Sequence, residues 1–145
     1  MAFRFHHVEG GGVPPVREMP SGASETWVAG YTANLESGLL DPGAAADTAF
    51  VGIVNESKVV GTAGAGTMIE VILAYDNVVF EVPYVGSTKK SLADADIGTA
   101  FDLYASDLGK INLDDTTGGA WVCVGYDNAK KTSLVKCLGT KRAVV

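Results

Sequence analysis

A two-residue alternation of apolar and polar side chains through residues 67–84 constrains this chain more than any other feature. In 67–73, Ile69, Val71 and Leu73 share one face, and in 78–84, Val78, Phe80, Val82 and Tyr84 do the same. Successive side chains of a strand point to opposite faces, so each run reads as a half-buried β-strand. The four residues 74–77 between them suit a hairpin loop. Pairing Leu73 with Val78 sets Val71 opposite Phe80 and Ile69 opposite Val82, so the two apolar faces coincide. The same register places Glu70 opposite Glu81. Like charges so placed destabilise a sheet unless both are solvated or a cation sits between them, and in a binding protein a partner could supply that cation.

The remainder extends the pattern. Eighteen of the 145 residues are glycine, against a usual share of about 7%, and they break the chain into short runs rich in Val and Thr. Segments 25–31 and 50–54, the alternating run 97–105, the short run 110–113 and a closing hairpin of 120–126 with 132–138 read as strands. Asp41-Pro42-Gly43 marks a turn, residues 44–46 support at most one helical turn, and 85–96 read as a loop. About eight strands with turn signals every ~8–12 residues predict an all-β barrel or sandwich over 25–138 with little or no helix. Residues 139–145 read as a tail, with Lys136, Lys141 and Arg142 as a solvated basic cluster.

Residues 1–24 differ in grammar. Phe3, Phe5 and Val8 alternate with Arg4 and His6, and then come Gly10-Gly11-Gly12, Pro14-Pro15, Pro20 and Gly22. Three adjacent glycines are costly to order and proline cannot donate to a ladder. The stretch therefore predicts an extended arm able to span about 80 Å when stretched. Its apolar side chains are wasted on a purely solvating tail, which makes Phe3, Arg4, Phe5, Val8 and Val13 the candidate partner-binding residues. Trp27, Glu70 and Glu81 are the candidates on the body, although Trp27 and Trp121 also suit core packing.

The chemistry-bearing residues point away from catalysis. The two histidines, His6 and His7, lie beside the triple glycine, where a general base would lack rigidity. Neighbouring side chains on an extended chain point in opposite directions, so His6, His7 and Glu9 are not expected to share a metal ion. Asp94 with Asp96, and Asp114 with Asp115, lack the spacing of a Ca²⁺ loop and read as turn formers. The glycines of 61–66 do not match a phosphate loop and precede a strand. No catalytic residue, cofactor or metal is assigned.

The net charge of −6 disfavours phosphate backbones, so no nucleic-acid partner is expected. Charged residues interrupt the N-terminus before any apolar export signal, and no run is long enough to span a membrane. The expected setting is therefore a reducing one with free thiols. In the closing hairpin Cys123 falls opposite Val135, Cys137 opposite Trp121 and Val124 opposite Leu134. The cysteines are then diagonal neighbours about 7–8 Å apart, beyond easy disulfide reach, so two buried or half-buried thiols are expected.

The stretches Val78-Val-Phe-Glu-Val-Pro-Tyr84, Ala95-Asp-Ile-Gly-Thr-Ala-Phe-Asp-Leu103 and Val124-Gly-Tyr-Asp with Thr132-Ser-Leu-Val135 resemble the small head decoration, or cement, proteins of tailed bacteriophages. The resemblance spans residues 50–138 and lies in strand grammar. It implies a compact β-barrel or β-tulip-like domain carrying an arm. It further implies a protein made in the host bacterial cytoplasm that docks on the outer surface of an assembled capsid and clamps major capsid protein subunits, often as a homotrimer at local three-fold axes. Two other readings stand beside it: a head–tail joining or tail-tube protein of a virion, and a soluble ligand- or carbohydrate-binding β-module.

Overall fold

A computed structural model of the protein describes residues 2–143. The short alternating runs become thirteen strands: Arg4–Val8 (β1), Val16–Pro20 (β2), Thr26–Trp27 (β3), Thr32–Glu36 (β4), Leu39–Pro42 (β5), Phe50–Val54 (β6), Lys58–Val59 (β7), Met68–Leu73 (β8), Val78–Val85 (β9), Ala100–Tyr104 (β10), Asp107–Asn112 (β11), Trp121–Asp127 (β12) and Thr132–Cys137 (β13). The helical pieces among the described residues are single 3-10 turns at Asp94–Asp96 and Gly139–Lys141. The chain is all-β, as its patterning predicts, and contains a closed five-stranded barrel.

The barrel runs β9-β11-β10-β12-β13 and closes back onto β9. Strand β9 meets β13 along one edge, through Phe80 to Pro83. Its other edge is shared: β1 takes Val78 to Glu81, and β11 pairs in parallel with Tyr84 and Val85. A second sheet, ordered β2-β8-β6-β4-β5, curls until Ser21, just past β2, forms a parallel bridge with Leu40 of β5. Strands β3 and β7 form a small ribbon beside it.

Two apolar clusters fill these layers. Phe3, Phe80, Val82, Phe101, Leu103, Ile111 and Trp121 belong to the barrel core. Met19, Trp27, Leu40, Ile69, Val71 and Leu73 belong to the core of the second sheet. Strand β6 is buried along its whole length and serves both: Phe50 and Ile53 face the barrel core, Val51 and Val54 the other. A register shift opposite Ala33 and Asn34 puts an extra residue into β6, which re-aims its side chains. Gly52 has no substitute there, because a Cβ would stand 2.0 Å from the Ile72 carbonyl oxygen.

This layering corrects the first expectation drawn from the sequence. Strands β8 and β9 exist where the alternation places them, with the predicted faces inward, but they do not pair. Strand β8 lies between β2 and β6 while β9 lies in the barrel. Their apolar faces serve different cores, and residues 74–77 cross between sheets. The separation also removes the clash of Glu70 with Glu81. Glu81 instead faces Arg4, and Glu70 faces Glu18.

The arm is corrected too. The described residues 2–24 of the expected arm do not stand off the body, since β1 adds to β9 and β2 adds to β8. Phe3 and Met19 are buried, one in each core. The Phe3/Phe5 alternation is strand grammar that finds an unfilled edge, and burying Phe3 and Met19 offsets the ordering cost. Between these two strands, residues 9–15, with the triple glycine and Pro14-Pro15, lie outside any strand.

The chain's other end also docks. Arg142 bridges Phe50 and forms an ion pair with Asp76, while Lys136 holds Glu9 at 2.8 Å, so the basic cluster is not a free solvated tail. Asp41 and Pro42 end β5, whose one strand partner is β4 and whose other side meets only the Ser21 bridge at Leu40, an edge position that tolerates proline. Residues 44–46 form no helical turn, and Ala46 takes a positive φ of 67°. Its N–H donates to the buried Asp102 carboxylate.

Candidate interaction surface

Of the residues expected to meet a partner, three are interior. Phe3 is 3% exposed and lies against the Trp121 ring, with centroids 4.8 Å apart. Trp27 is buried in the second core and its Nε1–H donates to Ser21 Oγ at 2.8 Å. Glu81 is buried, ion-paired with Arg4, and accepts a long hydrogen bond from Thr132 Oγ1 at 3.4 Å. The cation that Glu81 requires therefore comes from this chain, not from a partner. Glu70 is half-buried and its carboxylate accepts from Asn55 Nδ2.

The others lie on one continuous stretch. Arg4 keeps much of its side chain in solvent while holding Glu81. Phe5 and Val8 are half-buried, packed on the barrel core from β1. Val13 is 84% exposed, the highest of the large apolar side chains among the described residues. It sits on the bridge 9–15 that carries the chain from the barrel to the second sheet. Gly10, Gly11 and Gly12 all take positive φ, at 84°, 88° and 118°, a path that L side chains resist. Among the described residues β1 pairs with β9 alone, leaving its outer edge without a strand partner. Beside that edge, Ala2, Phe3, Arg4, Phe5, Ala29 and Gly30 line part of an open cleft of about 350 Å³. An unpaired edge next to an exposed apolar bridge is a surface suited to protein contact.

Strand β1 also holds a pairing that the sequence argued against. The register slips between Phe5 and His7, leaving His6 as the extra residue of a bulge. The rings of His6 and His7 then meet, with Nδ1 atoms 2.7 Å apart. No signal in the sequence marks this bulge, because strand alternation alone sends the two rings to opposite faces.

The acidic loops organise turns. The Asp114 carboxylate accepts from the N–H groups of Ser87, Thr88 and Lys89, which hold it below the usual carboxylate range. Asp96 accepts from Ala93 N–H and pairs with Lys89, and Asp94 accepts from the Tyr126 hydroxyl.

In the closing hairpin, Trp121 faces Cys137 and Cys123 faces Val135 as predicted, but a bulge after Cys123 puts Gly125, not Val124, opposite Leu134. Both thiols are free and buried, and burial pushes Cys137 up to about 12. Neither is expected to react with a disulfide reagent at pH 8 in the folded protein, while both should react in concentrated urea. Rapid native labelling at either position would contradict the packing of this hairpin. The raised thiol also has a stability consequence. Its contribution is complete below the unfolded thiol pKa and is lost as pH rises from there toward the folded value.

A comparison with models of protein families finds no match to this chain, and a comparison with curated proteins finds none either.

Proposed function

We propose that this chain is a structural virion protein that seats on the outer surface of an assembled tailed-phage head and clamps neighbouring major capsid protein subunits. The observation that carries the reading is the bridge 9–15 beside the open edge of β1, where Val13 offers an almost fully exposed apolar side chain. The resemblance of residues 50–138 to head decoration proteins gives that surface its partner.

The physical logic is economical. Because β1 and β2 already belong to the sheets and the bridge is hydrogen-bonded at Glu9, Gly11 and Pro15, docking avoids the roughly 1–2 kcal/mol per residue that ordering a free arm would cost. Many copies on a symmetric shell then add avidity without new contacts. The reading assigns no catalysis and needs no cofactor. A trimer at local three-fold axes is the expected assembly on the shell.

The test is co-sedimentation of the purified chain with undecorated heads of the cognate major capsid protein. The wild-type chain is expected to pellet with heads at saturating, symmetric stoichiometry. Val13→Asp is expected to keep the far-UV spectrum and lose at least about tenfold in affinity, equivalent to about 1.4 kcal/mol. Failure of the wild-type chain to pellet sinks the proposed function. Undiminished binding of Val13→Asp sinks the bridge as the docking surface.

A further inference from the structure

We infer that His6 and His7 form a two-imidazole site for a divalent transition-metal ion, built by the bulge in β1. The two rings are exposed, their centroids are 4.9 Å apart and their planes stand at 71°. At an Nδ1 separation of 2.7 Å, the neutral pair shares one proton, with one Nδ1–H donating to the lone pair of the other. Moving that proton to Nε2 frees both Nδ1 lone pairs, which face each other across the contact, and a turn of the two rings brings both to bear on one ion. No proton is lost overall, and each ring keeps its single N–H.

The spacing selects among ions. With metal–nitrogen bonds of about 2.0–2.1 Å, two ligands at 90° stand about 2.9 Å apart, and two at the tetrahedral angle about 3.3 Å. Once the rings have turned, the pair parts by about 0.2 Å to hold a square-planar or octahedral ion, and by about 0.6 Å to hold a tetrahedral one. That favours Cu²⁺ or Ni²⁺ over Zn²⁺. Both rings reach solvent, so the remaining coordination positions are open to water.

The strand is also held in place. Phe3 anchors its start in the barrel core, and Val8 pairs with Val78 beyond the bulge. The nearby basic groups are matched: Arg4 lies on Glu81 and Lys136 on Glu9. A pre-set pair on a fixed strand spares an incoming ion most of the ordering cost that two histidines on a loose tail would impose.

The experiment adds CuCl₂ to the full-length chain and reads electron paramagnetic resonance and the thermal midpoint. One Cu²⁺ per chain with two equatorial imidazole nitrogens is expected, together with a raised midpoint, because the site exists only when β1 is folded. The chain has no other histidine, so the variants are clean. His6→Gln and His7→Gln should each show one nitrogen, lose the midpoint shift and bind at least about tenfold more weakly, since the second ligand acts intramolecularly. Zn²⁺ should give a smaller midpoint shift than Cu²⁺. A single-imidazole spectrum in the wild-type chain, or Cu²⁺ binding that is unchanged in His6→Gln/His7→Gln, overturns the inference.

Discussion

Deleting residues 2–20 is expected to abolish cooperative folding of the whole chain, and not merely to strip a tether from an intact domain. The deletion removes β1 from the barrel edge and β2 from the second sheet. It empties the space of Phe3, which is 3% exposed against Trp121, and of Met19 in the other core. Truncating one such aromatic alone costs about 3–5 kcal/mol, and a buried methionine about 2–5. Glu81 loses the Arg4 guanidinium and is left as a buried carboxylate without its cation, a change that itself costs about 3–5 kcal/mol in fully buried pairs and less here because Arg4 is largely exposed. These losses are neighbours and do not add simply. Any two still approach the whole stability of a typical domain, about 5–15 kcal/mol. Urea titration followed by circular dichroism checks this. A truncated chain with a sharp transition at the wild-type midpoint would show that β1 and β2 are dispensable and that the leading segment is an arm after all.

That outcome turns on what the sequence could and could not convey. Strand positions were legible because the period-two pattern is local: Ile69, Val71 and Leu73 on one side, Val78, Phe80 and Val82 on another, all buried as their spacing implies. Partners were not legible, because a pattern states which face is apolar and not which core receives it. Strands β8 and β9 could be paired on paper with every apolar residue matched, and the objection of Glu70 against Glu81 did not settle the pairing, since Glu70 faces another glutamate, Glu18, in the sheet it joins. The structure sends Glu70 and Glu81 to different sheets. The hairpin of β12 and β13 was read in register at Trp121 and Cys123 because its partners are close in sequence, and was missed only past the bulge. The two-residue β7 carries too little alternation to be found, and of the expected strand 25–31 only Thr26 and Trp27 pair, as β3.

The candidate surface was half legible for a related reason. Val13 stands among glycines and prolines that no strand can absorb, so its exposure follows from composition. Phe3 looked equally available, yet a single phenylalanine at strand spacing beside an open barrel edge is drawn inward by the area it buries. The His6–His7 contact depends on one inserted residue, a feature that no periodicity records.

Trp121→Ala is expected to cost about 3–5 kcal/mol and to destabilise both cores together. Trp121 is fully buried, and three aromatic rings surround it: Phe3 at 4.8 Å, Phe50 at 5.4 Å and Phe80 at 6.4 Å between centroids. Phe3 lies just ahead of β1, Phe80 belongs to the barrel wall, and Phe50 belongs to β6 of the second sheet. The indole is thus where the leading strand, the barrel and the second sheet meet, and an alanine leaves a cavity that the fixed β6 backbone cannot close. Trp121→Phe should recover more than half of the loss. A ring still contacts Phe3 and Phe50, and the indole N–H it removes has no acceptor among the described residues, so that deletion sacrifices no hydrogen bond. Trp27, the other tryptophan, sits in the second core and reports on it by fluorescence. In Trp121→Ala its transition in urea should coincide with that of the backbone circular dichroism, as a two-state unit requires. If the Trp27 signal keeps the wild-type midpoint while the barrel melts early, then β6 insulates the two cores from each other and the aromatic junction does not couple them.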